Sequence, residues 1–208
     1  DRVSYAGKIL LESELYVVDD PEFTCESLVE TIKDYAFNKH IKTCCYDYVS
    51  NNGFVANSIS RETKIPQRED MVLLALIDRL KQVQRETGIS LISSVQSNGA
   101  EDNMDYPTEA CMAGGKSQVR KTNGTLAMFP PKPKEIESTR PMWTKDRFGV
   151  PIEPNNVCHI IKGRGSKYPK YIKVFQKIEL GTGRTIDLFC TDKNNNPIKV
   201  DKMIIEKE

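Results

Sequence analysis

The sequence predicts an α/β protein: a mostly parallel sheet flanked by helices, with antiparallel strands in the C-terminal third. Two observations predict it. Residues 15–95 alternate short apolar runs with helical patterns, in the order strand, helix, strand, helix, strand. That order calls for right-handed crossovers joining parallel strands. Residues 171–190 instead hold two β-like runs separated by Gly181-Thr182-Gly183, which reads as a tight hairpin.

The totals set the limits. A chain of 208 residues is long enough for one domain with a real core and does not require two. Charged residues make up 28% and hydrophobic ones 38%, the balance of a soluble globular protein. No apolar run approaches the ~20 residues of a membrane helix. No secretory signal opens the chain, so a cytoplasmic location with no membrane partner is expected. A net charge of +1 gives no global attraction to nucleic acid, so any such contact must come from local patches. Cys25, Cys44, Cys45, Cys111, Cys158 and Cys190 include no CxxC pair, and His40 and His159 stand apart. That spacing argues against zinc and for a reducing compartment.

Residues 3–13 carry Ala6, Ile9 and Leu10 at helical spacing. Residues 15–18 form an apolar run stopped by Asp19-Asp20-Pro21, the first expected strand. Thr24 is a candidate N-cap for a helix over residues 24–40, with Leu28, Ile32, Tyr35 and Ala36 on one face. Residues 41–49 are the next strand. Within it Cys44 and Cys45 point to opposite faces and suit small buried hydrophobes. Residues 51–67 read as a polar loop. From Glu69, the stripe Leu73, Leu76, Ile77, Leu80 and Val83 predicts a strong amphipathic helix, with Arg79, Lys81, Gln82 and Arg85 outside and Gly88 at its end. Residues 89–95 are the third strand, and 97–106 a loop. Strands are expected at 122–129, 157–161, 171–180, 184–190 and 198–205. Residues 130–154, with six prolines, read as an exposed loop.

The chain is organised around residues 41–50, a short strand ending at Asp47. In open parallel sheets ligands bind beyond the carboxyl ends of the strands, where an acid can reach a metal or a polarised water. The same stretch also fits an ordinary buried strand whose Asp caps the next turn. Gly114-Gly115-Lys116-Ser117 looks like the end of a GxxxxGK[ST] phosphate loop, but Ala110 stands where the first glycine belongs. A polar stretch precedes it and a β-like segment follows, so a turn presenting Lys116 at the surface is the better account.

Taken in order, four motifs carry a resemblance. They are Tyr46-Asp47-Tyr48, Ser94-Val95-Gln96-Ser97-Asn98, Met112-Ala113-Gly114-Gly115-Lys116 and Lys162-Gly163-Arg164-Gly165. Together they resemble the RecA-like motor core of DnaB-type hexameric replicative helicases, over most of residues 9–192. In that family the motifs are a strand-end Asp-Tyr, a Ser-Gln-Leu-Asn-like strand end, a glycine-containing DNA-facing loop and a Lys-x-Arg finger. The resemblance implies that Asp47 holds the Mg²⁺ of bound ATP through water and that Gln96 senses the γ-phosphate. Lys162 and Arg164 would reach an adjacent subunit, where positioned cations contribute roughly 10³–10⁵ in rate. Gly115, Lys116, Arg120 and Lys121 would face single-stranded DNA. A homo-hexamer, and a primase or helicase loader as partner, follow from the same likeness.

Two departures temper it. The family's phosphate-binding loop and catalytic Glu are not found here, and the Asp-Leu-Arg-Glu-Ser-Gly wording after Asn98 is missing. The expectation is therefore that residues 1–208 are one N-terminally incomplete RecA-like core, the C-terminal part of a longer helicase, inactive in ATP hydrolysis alone. A non-catalytic RecA-like module that binds DNA or a replisome partner, and a recombinase-type ATPase, remain open as alternatives. Simpler readings also stay open for the motif residues: a solvated basic turn for Lys162 and Arg164, and a polar strand end for Gln96.

Overall fold

The computed structural model describes residues 2–50, 52–112, 116–163 and 171–199. Helix α1 (Arg2–Glu12) and helix α2 (Cys25–Asn38) open the chain. Thr24 caps α2 as expected: its side chain accepts from the Ser27 N–H at 3.1 Å, and Ser27 Oγ accepts from the Thr24 N–H at 2.9 Å. Between α1 and α2 the expected strand at 15–18 does not form. Leu15, Val17 and Val18 are exposed, because an apolar run becomes a strand only where a neighbour supplies its ladder.

Strand β1 (Thr43–Tyr46) leads to helix α3 (Gly53–Thr63), which replaces the loop expected over residues 51–67. The signal for α3 was thin. Asn52 caps it, accepting from the Val55 N–H at 2.7 Å, and Val55 and Ile59 are buried in the core with Ala56 packed against it. Helix α4 (Glu69–Thr87) is the central element. All five stripe residues are buried, with Val72 added. Gly88 ends the helix at φ +72°, in the left-handed region that glycine adopts without strain. Strand β2 (Ser90–Ser93) then pairs in parallel with β1, from Thr43 opposite Ser90 to Tyr46 opposite Ser93. Helices α2, α3 and α4 and one face of this pair share a core containing Ile32, Val55, Leu76 and Val83. The other face is bare: Cys45, expected to be buried, is exposed, as is Ile92 opposite it.

After a 3-10 turn at Ala100–Asn103 comes helix α5 (Lys116–Lys121), a short helix not expected from the sequence, ahead of the β-like segment expected at 122–129. Val119 anchors α5 beside Cys111, Ala127 and Ile161. An antiparallel sheet of five strands follows, in the order β3 (Gly124–Phe129), β4 (Asn156–Gly163), β5 (Lys173–Glu179), β6 (Arg184–Thr191) and β7 (Pro197–Ile198). The hairpin at 181–183 is present: the Gly183 N–H donates to the Glu179 carbonyl at 2.8 Å. Residues 200–205 of the expected last strand lie outside the described residues.

The Pro-rich stretch 130–154 is not a loop throughout. Helix α6 (Pro133–Thr139) starts at its proline, and Glu135 and Thr139 are buried against the sheet. Only its second half, with Phe148 and Val150 exposed, matches the expectation. The α/β class holds, but the balance differs from the prediction. Among the described residues the parallel sheet has two strands and the antiparallel sheet five.

Candidate functional site at the carboxyl end of the parallel strands

The parallel pairing of β1 and β2 brings their carboxyl ends together. Asp47 directly follows β1, and Ser94 directly follows β2. Ser94 Oγ donates to Asp47 Oδ1 at 2.8 Å, and the Val49 N–H donates to the Ser94 carbonyl at 2.9 Å. The peptide between Asp47 and Tyr48 is cis. Asp47 is exposed at this strand end, while Tyr46 just before it is packed inward against Phe23, ring centroids 5.9 Å apart. Burial pushes the Tyr46 phenol up to about 12, so it remains a neutral side chain beside the carboxylate.

Gln96, two residues beyond Ser94, is exposed at the same end. The structure thus places Asp47 and Gln96 on adjacent strand ends, although Ser94 is the side chain that touches Asp47. In the sequence Ser94 stands out only as part of the Ser94-Val95-Gln96-Ser97-Asn98 motif. Its role depends on parallel register, which no local pattern reveals.

The chain leaving Gln96 is tied to the segment ahead of Gly114. Ser97 pairs antiparallel with Met112, the Asn98 N–H donates to the Cys111 carbonyl at 3.0 Å, and Asn98 Nδ2 donates to the Ala110 carbonyl at 2.9 Å. The residues that directly follow Gln96 are thus joined to residues 110–112 by backbone and side-chain hydrogen bonds.

Gly115 and Arg164 lie outside the described residues. Lys116 and Arg120 are exposed on α5. Lys121 is half-buried and pairs with Asp78 of α4, while Lys81 donates to the Lys121 carbonyl. Lys162 is drawn inward: its Nζ donates to the carbonyls of Val119 at 2.5 Å and Arg120 at 2.8 Å. Those groups end a helix, where a cation meets unsatisfied carbonyls and the negative end of the helix dipole. Lys162 thus caps α5 of its own chain and does not project outward.

Between α4 and α5 lies a cleft of about 480 Å³ lined by Asp78, Lys81, Gln82, Arg85, Arg120 and Lys121. Four cations face one carboxylate there, a local excess in a chain of net charge +1. Lys81 and Arg85 read in the sequence only as the solvated side of α4. Their i, i+4 spacing put them on one face, but nothing local showed that α5 lies alongside. A second cleft, of about 390 Å³ between α2, α3 and α4, contains none of the candidate residues. Its two cations pair as Lys33–Glu86 at 2.6 Å and Arg79–Glu62, and Glu26 and Glu30 leave it acidic, the opposite sign to the first cleft.

Among the described residues, no three or more His, Cys, Asp or Glu side chains gather as a metal cluster. The donor set at Asp47, a carboxylate beside a hydroxyl, is of the hard oxygen type that suits Mg²⁺ held largely by water and substrate phosphates. No helix among the described residues is long and apolar enough to cross a membrane.

No family model matches the chain. It is 28% identical over 208 residues to the SPbeta prophage-derived uncharacterized protein YorI of Bacillus subtilis (strain 168). The alignment covers 98% of this chain and 40% of that protein, so the chain spans about two-fifths of the length of this curated relative.

Proposed function

We propose that this chain is the C-terminal portion of an ATP-driven, ring-forming DNA helicase with a RecA-like motor core of the DnaB type. The observation that carries the reading is the strand-end pair Asp47–Ser94, with Gln96 two residues on and its loop laddered to residues 110–112. In this reading Asp47 orients the water shell of a nucleotide-bound Mg²⁺, and Ser94 fixes the carboxylate rotamer. Mg²⁺, when bound, neutralises charge on the β- and γ-phosphates. Gln96 hydrogen-bonds the γ-phosphate through its amide and passes its loss to residues 110–112 through the Ser97–Met112 pairing. Lys116 and Arg120, with Arg85 across the cleft, hold the backbone of single-stranded DNA. Such grips track phosphates with little sequence preference. A homo-hexamer with ATP sites between subunits, loaded by a helicase loader or joined by a primase, completes the proposal. The prophage origin of the relative fits a replication setting of this kind.

One observation favours a second reading, a RecA-like module that binds DNA or a replisome partner without catalysis. Lys162, the first prong of the expected finger, is engaged on the α5 carbonyls of its own chain. To act in a neighbouring subunit it must first release them. The discriminating experiment is Mg²⁺-dependent ATP hydrolysis by the full-length protein with and without single-stranded DNA. The helicase reading expects hydrolysis stimulated by DNA. Salt-sensitive DNA binding with no hydrolysis selects the module.

A further inference from the structure

The loop that follows Gln96 is held by a residue of the Pro-rich stretch. At the carbonyl end of the turn Ala100–Asn103, the ammonium group of Lys132 donates to the carbonyl oxygens of Glu101 at 2.8 Å, Asp102 at 3.3 Å and Met104. Three carbonyls converging on one cation form a cage, and an ammonium has one N–H for each of them. The Glu101 carbonyl also accepts from the Met104 N–H at 3.1 Å, and its second lone pair is the one that meets the ammonium. A hydrogen bond from Ser97 holds the Glu101 carboxyl below the usual carboxylate range, with a smaller contribution from the charge of Lys132.

Lys132 is itself rigidly placed. It sits between Pro131 and Pro133, and a residue preceding proline is confined to extended backbone; its φ is −73° and its ψ 152°. Its N–H donates to Glu135 Oε2 at 2.9 Å. The other Glu135 oxygen accepts from the buried Lys173 at 2.5 Å, and Lys173 also donates to Asn195 Oδ1 at 3.0 Å. A continuous polar chain thus runs from the loop, through the start of α6, to β5 and the turn before β7.

We infer that Lys132 is a positioning residue: its ammonium acts as a tethered cation that locks the carbonyls of Glu101, Asp102 and Met104 onto α6 and so fixes the chain leaving Gln96. The prolines around it make the tether stiff. This role rests on the loop geometry and stands whether or not the chain hydrolyses ATP.

The test is hydrogen exchange on the full chain carrying Lys132→Met, which keeps the apolar stem and removes the charge. Amides of residues 98–106 should exchange about tenfold faster, while those of β4–β6 stay within about twofold of wild type. Ammonium chloride should restore protection to residues 98–106, and tetramethylammonium chloride, which has no N–H, should not. Unchanged exchange at 98–106, an equal rise across β4–β6, or no ammonium effect overturns the proposal. If the variant does not fold, competitive acetylation of the wild-type chain decides. Lys132 should react several-fold more slowly than its exposed neighbour Lys134, and equal rates overturn the role.

Discussion

Replacing Lys173 by Met should be among the most destabilising single changes in this protein. The Lys173 and Glu135 side chains are only 2% and 8% exposed, and they meet at 2.5 Å. Met fills much of the lysine volume, so little cavity opens and the cost is mainly electrostatic. Glu135 Oε1 loses its donor inside the protein, although Oε2 keeps the Lys132 N–H. Asn195 loses one contact but retains its bond to Ser138 at 2.9 Å. Removing one partner of a buried pair costs about 3–5 kcal/mol. At about 2–4 °C per kcal/mol for a chain of this size, Tm should fall by about 6–20 °C. Urea unfolding followed by circular dichroism gives the free energy directly. Replacing both residues, as Lys173→Met with Glu135→Leu, should cost clearly less than the sum of the two single changes, because neither charge is then stranded. A loss below about 1 kcal/mol for Lys173→Met, or strict additivity in the double variant, would refute the buried-pair account.

Two further predictions concern charge. Burial pushes His159 down to about 4, with a smaller opposing pull from Glu135, and it packs edge-on against Tyr106. The folded state therefore resists protonation that the unfolded chain accepts. Stability should be level above pH ~6.5 and fall by about 3 kcal/mol as pH drops from there to about 4. His159→Phe should flatten that slope in urea titrations at several pH values, and an unchanged slope would remove His159 as its source. Arg85→Glu and Arg120→Glu should each weaken single-stranded DNA binding and reduce the log–log salt slope by about 0.7 per lost phosphate contact, measured by fluorescence anisotropy. If Arg85→Glu binds like wild type, the cleft between α4 and α5 is not part of the DNA surface.

The sequence was most legible where one element carries its own instructions. The α4 stripe, the Thr24 cap and the 181–183 hairpin all needed only local chemistry, and all are present. It was least legible where structure depends on a distant neighbour. Residues 15–18 have strand composition, yet no strand pairs with them among the described residues. Helix α3 is specified by one cap and the core-facing Val55, Ala56 and Ile59, too sparse a pattern to separate from a polar loop. The prolines of residues 130–154 suggested exposure, whereas the position of Glu135 is set by a lysine on β5, 38 residues further along. At the candidate site Asp47 was visible as a strand-end acid. Ser94 became its partner only through register, and Lys162 became a helix cap only through tertiary contact with α5. In each case the missing information was long-range.

The central claim is that Asp47 belongs to a magnesium–nucleotide site, and Asp47→Ala in the full-length protein tests it most directly. Mg²⁺-dependent ATP hydrolysis in the presence of single-stranded DNA should be abolished, while the thermal unfolding temperature stays close to wild type, because the side chain is exposed and is held by one hydroxyl, that of Ser94. Hydrolysis that survives the substitution at the wild-type rate would contradict the assignment.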